Sequence, residues 1–150
     1  MRAHAAIVEA WVQKTVEIYP EPVRASASQG GERFRNPVGF ALRDSLARLV
    51  QELAGKMNVE RVTTAMEQIV RLRAVQDLTP AEAVCFVFLL RQIVREQKAE
   101  DQFPDLERRI DELALIAFNI YVQCREDLAM VRVNEARRAL SLRQRMREEQ

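Results

Sequence analysis

Glycine and proline are scarce in this sequence, with four and five residues among 150. The prolines lie between periodic segments rather than inside them. An all-β domain, which needs closely spaced turn residues, is therefore excluded. Histidine occurs once, as His4 close to the N-terminus. With no interior histidine, no Ser/His/Asp or Cys/His constellation can be assembled. His4 itself reads as a solvated residue. Cysteine occurs twice, as Cys85 and Cys124, without motif spacing. Both fall in apolar helical settings and read as buried free thiols of a reducing compartment; a disulfide or redox pair is the alternative. The longest apolar run, Ala83–Leu90, spans eight residues. A membrane-spanning helix needs about 20, so direct membrane insertion is not expected. The N-terminal stretch carries Glu9, Lys14 and Glu17 within its apolar pattern and does not read as a secretory signal. Nor is there excess charge of one sign, with 23 basic and 22 acidic residues. No overall field draws the chain toward nucleic acid or an anionic membrane.

What is present is helical periodicity. The length fits one domain, and the 48% apolar and 30% charged fractions are those of a globular chain. Ile7, Ala10, Trp11, Val12, Thr15 and Ile18 predict a helix over Ala3–Tyr19, closed by Pro20 and Pro22. A short helical turn to Ala27 and a loop around Gly30-Gly31 follow. Asn36-Pro37 reads as a cap and first turn. It opens a helix to Ala54 with Phe40, Leu42, Leu46, Leu49, Val50 and Leu53 inward and Gly55 as its stop. Asn58–Val75 is the next, with Val59, Val62, Met66, Ile69, Val70 and Leu72 on its core face. Thr79-Pro80-Ala81-Glu82 is a capping box. It predicts one helix from Pro80 to Lys98, enclosed on all sides for two turns and amphipathic afterwards.

From Pro104 to Glu148 neither proline nor glycine interrupts the chain. A straight helix of that length would reach about 67 Å, more than the roughly 40 Å diameter of a compact domain this size. It must break or project. Leu106, Ile110, Leu113, Ala117, Ile120 and Cys124 form its seam, and Leu128 and Val131 follow after a stutter. Core packing is expected to Val133, giving a domain over 1–133 and a basic helical extension over 134–150. The fold class is all-α, a bundle of about five to six helices with a long C-terminal one.

No constellation of these residues reads as catalytic, cofactor-binding or metal-binding. Asp101, Asp105 and Glu107 stand beside a helix start, where the dipole favours anions. Arg71, Arg73, Gln76 and Asp77 close the third helix. They are either cations at a helix C-terminus or a polar cluster that orders the turn or docks a partner. Trp11, Phe86, Phe88, Phe118 and Tyr121 are candidates for an apolar pocket or a dimer face; core packing also accounts for them. The arginine-rich tail lacks interleaved aromatics, so nucleic acid is not an expected partner.

Four stretches carry a family resemblance: AWVQKTVEIYP, RFRNPVGFALRDSL, IVRLRAVQDLTPAEAVCFVFLLRQIVRE and RIDELALIAFNIYVQCREDLAMVRVNE. In this order, over Ala6–Arg138, they resemble the N-terminal domain of the RsbT co-antagonist RsbRD. Its most specific parts are Trp11 to Tyr19-Pro20, Asn36-Pro37-Val38-Gly39, and Arg71-x-Arg73-Ala74-Val75-Gln76 followed by Thr79-Pro80. The resemblance implies a globin-like, haem-free sensor domain of the stressosome, cytoplasmic and homodimeric. In such proteins a long last helix leads to a STAS domain that engages a switch kinase. The 150 residues contain no STAS domain. The expectation is therefore a stand-alone domain, or part of a longer protein, that signals through a protein partner. Stand-alone members also look associated with sulfite-reductase-linked membrane electron-transfer complexes. Two function classes follow: a non-enzymatic signalling or adaptor domain, and a domain sensing a small apolar ligand or porphyrin. For the latter, Cys85 would be the available thiolate.

Overall fold

The structure, a computed structural model, describes residues 2–18, 37–76 and 78–150. The expected end of the first helix at Tyr19 and Pro20, the turn to Ala27, the Gly30-Gly31 loop and the Asn36 cap lie outside these residues. So does Asp77. Among the described residues the fold is all-α, with no strands. The helices are α1 (Arg2–Val16), α2 (Pro37–Ala54), α3 (Val59–Val75), α4 (Pro80–Val84), α5 (Leu89–Glu96) and α6 (Leu106–Glu148). α1 packs on α2 and α5, α2 on α3, and α6 on α3 and α4. No helix among the described residues is long and apolar enough to cross a membrane.

One core joins these elements. Ile7, Trp11, Val12, Leu46, Leu49, Leu53, Met66 and Ile69 are all within a few per cent of full burial. Each lies on the face its helical period assigns. Three expected core positions do not: Phe40 is 40% exposed and Val59 61% exposed, and Leu72 is only half-buried beside the buried Arg73. The two exposed ones differ from Leu72 in their place. Both sit in the first turn of their helix. α2 stops at Ala54, and the left-handed residue of the turn is Met57 rather than Gly55. Asn58 then caps α3, its side chain accepting from the Arg61 N–H at 3.0 Å.

The helix expected over Pro80–Lys98 divides. Thr79 caps α4 as predicted, its hydroxyl accepting from the Glu82 N–H at 3.2 Å. Cys85–Val87 then tighten into a 3₁₀ turn, and α5 resumes at Leu89. The cause lies on α1. Trp11 Nε1 donates to the Phe86 carbonyl at 2.8 Å, the oxygen that would serve residue 90 in an unbroken α-helix. The apolar run is not enclosed all round either. Phe88 is 44% exposed and Cys85 only half-buried, because the tightened turn rotates them outward. α5 ends with Lys98 in the left-handed conformation, while Ala99 N–H reaches the Val94 carbonyl.

α6 is continuous over 43 residues, about 64 Å. Its buried residues are Ile110, Leu113, Ala117, Tyr121 and Cys124. Tyr121 rather than Ile120 takes the central position; its hydroxyl donates to the Leu78 carbonyl at 2.6 Å. Core packing ends at Cys124, earlier than Val133, and every residue from 129 to 150 is exposed. The stutter after Cys124 is where the seam leaves the core.

Candidate functional site

The polar cluster read from the end of α3 separates into distinct environments. Arg71 is exposed and Gln76 half-buried. Arg73 is fully buried. Its Nη2 donates to the Glu82 carbonyl at 2.6 Å, and its guanidinium carbon lies 5.3 Å from the centre of the Phe86 ring. That distance is within the range of a cation–π contact. Trp11 meets the same ring, the two centroids 6.3 Å apart and tilted by 32°. Arg73, Phe86 and Trp11 therefore form one interior column linking α3, the 3₁₀ turn and α1. Sequence separation placed Arg73 and Phe86 in different candidate groups; space puts them together.

The aromatic group divides in the same way. Trp11, Phe86 and Tyr121 belong to the core. Phe88 and Phe118 face outward. Two open grooves mark the surface of the described residues. One, about 530 Å³, runs between α1 and α2 over Ala5, Val8, Ala47 and Val50, with His4 at its edge. The ion pair of Glu9 with Arg43 stands on its rim. The hydrogen bond from Arg43 holds the Glu9 carboxyl below the usual carboxylate range, against a smaller opposing effect of burial. The other, about 800 Å³, is lined mostly by polar and charged residues and lies at the α2–α3 connection, between Arg48, Lys56 and Arg61. Neither is lined by any of the five candidate aromatics. Both cysteines are free thiols; burial pushes the Cys124 thiol up, and the charge of Arg71 opposes this.

Two arginines that sequence reading passed over hold the bundle to α6. Arg109 Nη1 donates to the carbonyls of Leu53 at 2.6 Å and Gly55 at 2.8 Å. Arg125 Nη1 donates to the carbonyl of Ala74 at 3.3 Å. Each supplies a cation and a donor to a helix C-terminus, where the last carbonyls have no intrahelical partner. The sequence signal was their place directly beside the seam residues Ile110 and Cys124, where an arginine can reach over a neighbouring helix end. Replacing Arg109 by methionine keeps most of the stem packing and removes both hydrogen bonds. A loss of about 1–2 kcal/mol is expected, read as a lower urea midpoint at unchanged slope.

The outer side of α6 carries exposed apolar residues. Leu115, Phe118 and Val122 are exposed and lie on one side, away from the buried seam. At 100° per residue, Ala129, Val133, Ala136 and Leu140 continue that stripe within an arc of about 60°. A helix with an apolar face in the core and a second one outside has room for another partner.

Residues 5–136 match the family model described as the RsbT co-antagonist protein rsbRD N-terminal domain. No curated protein and no solved structure matches the chain.

Proposed function

Because the chain belongs to the family of RsbT co-antagonist rsbRD N-terminal domains, we propose that it is a non-enzymatic signalling domain that dimerises and relays its state to a protein partner through its last helix. The observation that carries this reading is α6: one helix that forms a wall of the core up to Cys124 and continues uninterrupted beyond it. A displacement of the wall is transmitted along such a rod without a hinge to absorb it. The family description names a co-antagonist of RsbT, which supports a regulatory role of stressosome type exercised through a protein partner. A haem-free globin-like input module acting in the cytoplasm is consistent with this role. Arg71 and Gln76 stand at the end of α3, beside the wall helix, where a partner could read the turn.

The outer stripe of Leu115, Phe118 and Val122 is the face for the second copy. Phe118, 47% exposed at its centre, is the residue to test. Light scattering coupled to size exclusion is expected to give twice the chain mass of 17.3 kDa at tens of micromolar protein. Phe118→Asp puts a carboxylate into the apolar contact and is expected to give the single-chain mass with unchanged helical circular dichroism. A wild-type monomer at high micromolar concentration would sink the dimer. Affinity capture from the native organism tests the relay: a co-purifying switch kinase supports it, and a respiratory complex alone would move the domain to an accessory role in electron transfer.

A further inference from the structure

Beyond Cys124 the charge of the chain changes character. Residues 129–147 hold six of its 23 basic side chains and one of its 22 acidic ones. The six are Arg132, Arg137, Arg138, Arg143, Arg145 and Arg147. No ion pair forms at any of them among the described residues, and all are exposed. Their placement is regular. Ala129, Val133, Ala136 and Leu140 alternate steps of four and three, the seam of a coiled coil. In that register Arg132 precedes the Val133 seam position and Arg137 follows the Ala136 position. They are the two flanking sites that face each other across a parallel helix pair. The next two seam steps fall on Arg143 and Arg147 themselves.

Self-pairing of this segment is therefore opposed by its own charges. In a parallel pair Arg132 of one copy meets Arg137 of the other, and Arg143 and Arg147 meet their own counterparts. Reversing one helix separates these close pairs but still lays one segment with six basic and one acidic side chain on another. The apolar seam favours a helix, while the charges select against a second copy. We infer that residues 129–147 are the docking helix for an acidic amphipathic helix of a different protein, seated on Ala129, Val133, Ala136 and Leu140 with its carboxylates on Arg132, Arg137, Arg143 and Arg147. This deepens the proposed relay by naming the chemistry of its receiver. In this arrangement the second copy contacts only Leu115, Phe118 and Val122, and the continuation of that stripe beyond Cys124 is left to the partner helix.

The test uses the whole chain and three fluorescent helical peptides of about 21 residues, followed by anisotropy. One has leucine at the seam and glutamate at the flanking positions. The second replaces glutamate by lysine. The third scrambles the first at constant composition, and a single-stranded RNA oligonucleotide serves as a fourth probe. The glutamate peptide is expected to saturate the chain and to weaken as salt is raised. The lysine and scrambled peptides are expected to bind at least about tenfold more weakly. The fourfold variant Arg132→Glu, Arg137→Glu, Arg143→Glu, Arg147→Glu is expected to reverse the preference toward the lysine peptide. Its core is untouched, so its thermal melt reports whether the bundle still folds. Phe118→Asp is expected to bind the glutamate peptide as wild type does, so loss of the dimer and loss of this site are read separately. Equal binding of the glutamate and scrambled peptides, tighter binding of RNA than of the glutamate peptide, or full binding by the folded fourfold variant would each overturn the assignment.

Discussion

Trp11→Ala is expected to destabilise the bundle by about 3–5 kcal/mol, the range for removing a large aromatic from a close-packed interior. The side chain is fully buried. Two losses add at this position. The indole leaves a cavity among the α1, α2 and α5 side chains, and the Phe86 carbonyl loses its 2.8 Å donor. Trp11→Phe separates them. It keeps most of the apolar volume and removes only the N–H, so about 1–3 kcal/mol is expected from an orphaned buried carbonyl. For a chain of this length the alanine variant should melt roughly 6–20 °C lower. Far-ultraviolet circular dichroism follows both variants, since the only tryptophan is the residue removed. Equal midpoints for alanine and phenylalanine would mean that the hydrogen bond, and not the packing, holds α1 to the 3₁₀ turn.

The periodic part of this fold was legible in the sequence. α2 and α3 end where Gly55 and Val75 suggested, and the Thr79 cap sits on the N–H of Glu82 as the capping box required. These features are local; they depend on a few neighbouring residues. The division of the Pro80–Lys98 segment was not legible, because it depends on a side chain 75 positions away donating to the Phe86 carbonyl. The length of the core wall was misread for a related reason. Val131 and Val133 continue the apolar pattern of α6, but no other element among the described residues covers them. Apolar spacing reports that a face exists and not what meets it. Candidate residues fared the same way. Aromatic composition grouped Phe86 with Phe118, whereas burial separates them, and spacing alone could not choose for Arg73 between a helix-end cation and a member of a turn-ordering cluster; its partners lie in α4 and the 3₁₀ turn.

The burial of Arg73 makes it the more informative position to change. A fully buried guanidinium must recover its desolvation from its surroundings. Here the Glu82 carbonyl and the Phe86 ring supply part of that, joining the last turn of α3 to the first turn of α4 and the 3₁₀ segment. Arg73→Ala removes the charge, the donor and the packed stem, and a loss of about 3–5 kcal/mol is expected. Arg73→Lys is expected to be nearly as harmful, in the range of about 2–4 kcal/mol. An ammonium can meet either the carbonyl or the ring face but has no planar fork to serve both. Arg73→Met tests the charge itself: it fills the volume and stacks on Phe86, yet leaves the Glu82 carbonyl with the weaker Cys85 thiol donor at 3.4 Å in place of the guanidinium. Urea midpoints are expected in the order wild type, methionine, lysine, alanine. Hydrogen exchange localises the effect. Faster exchange is expected first in residues 80–90, with 40–53 following only at global unfolding. If the lysine variant were as stable as wild type, the buried arginine would be acting as a simple cation. The coupling of α3 to the α6 wall would then rest on Arg125 and Tyr121, which reach the Ala74 and Leu78 carbonyls on either side of the turn.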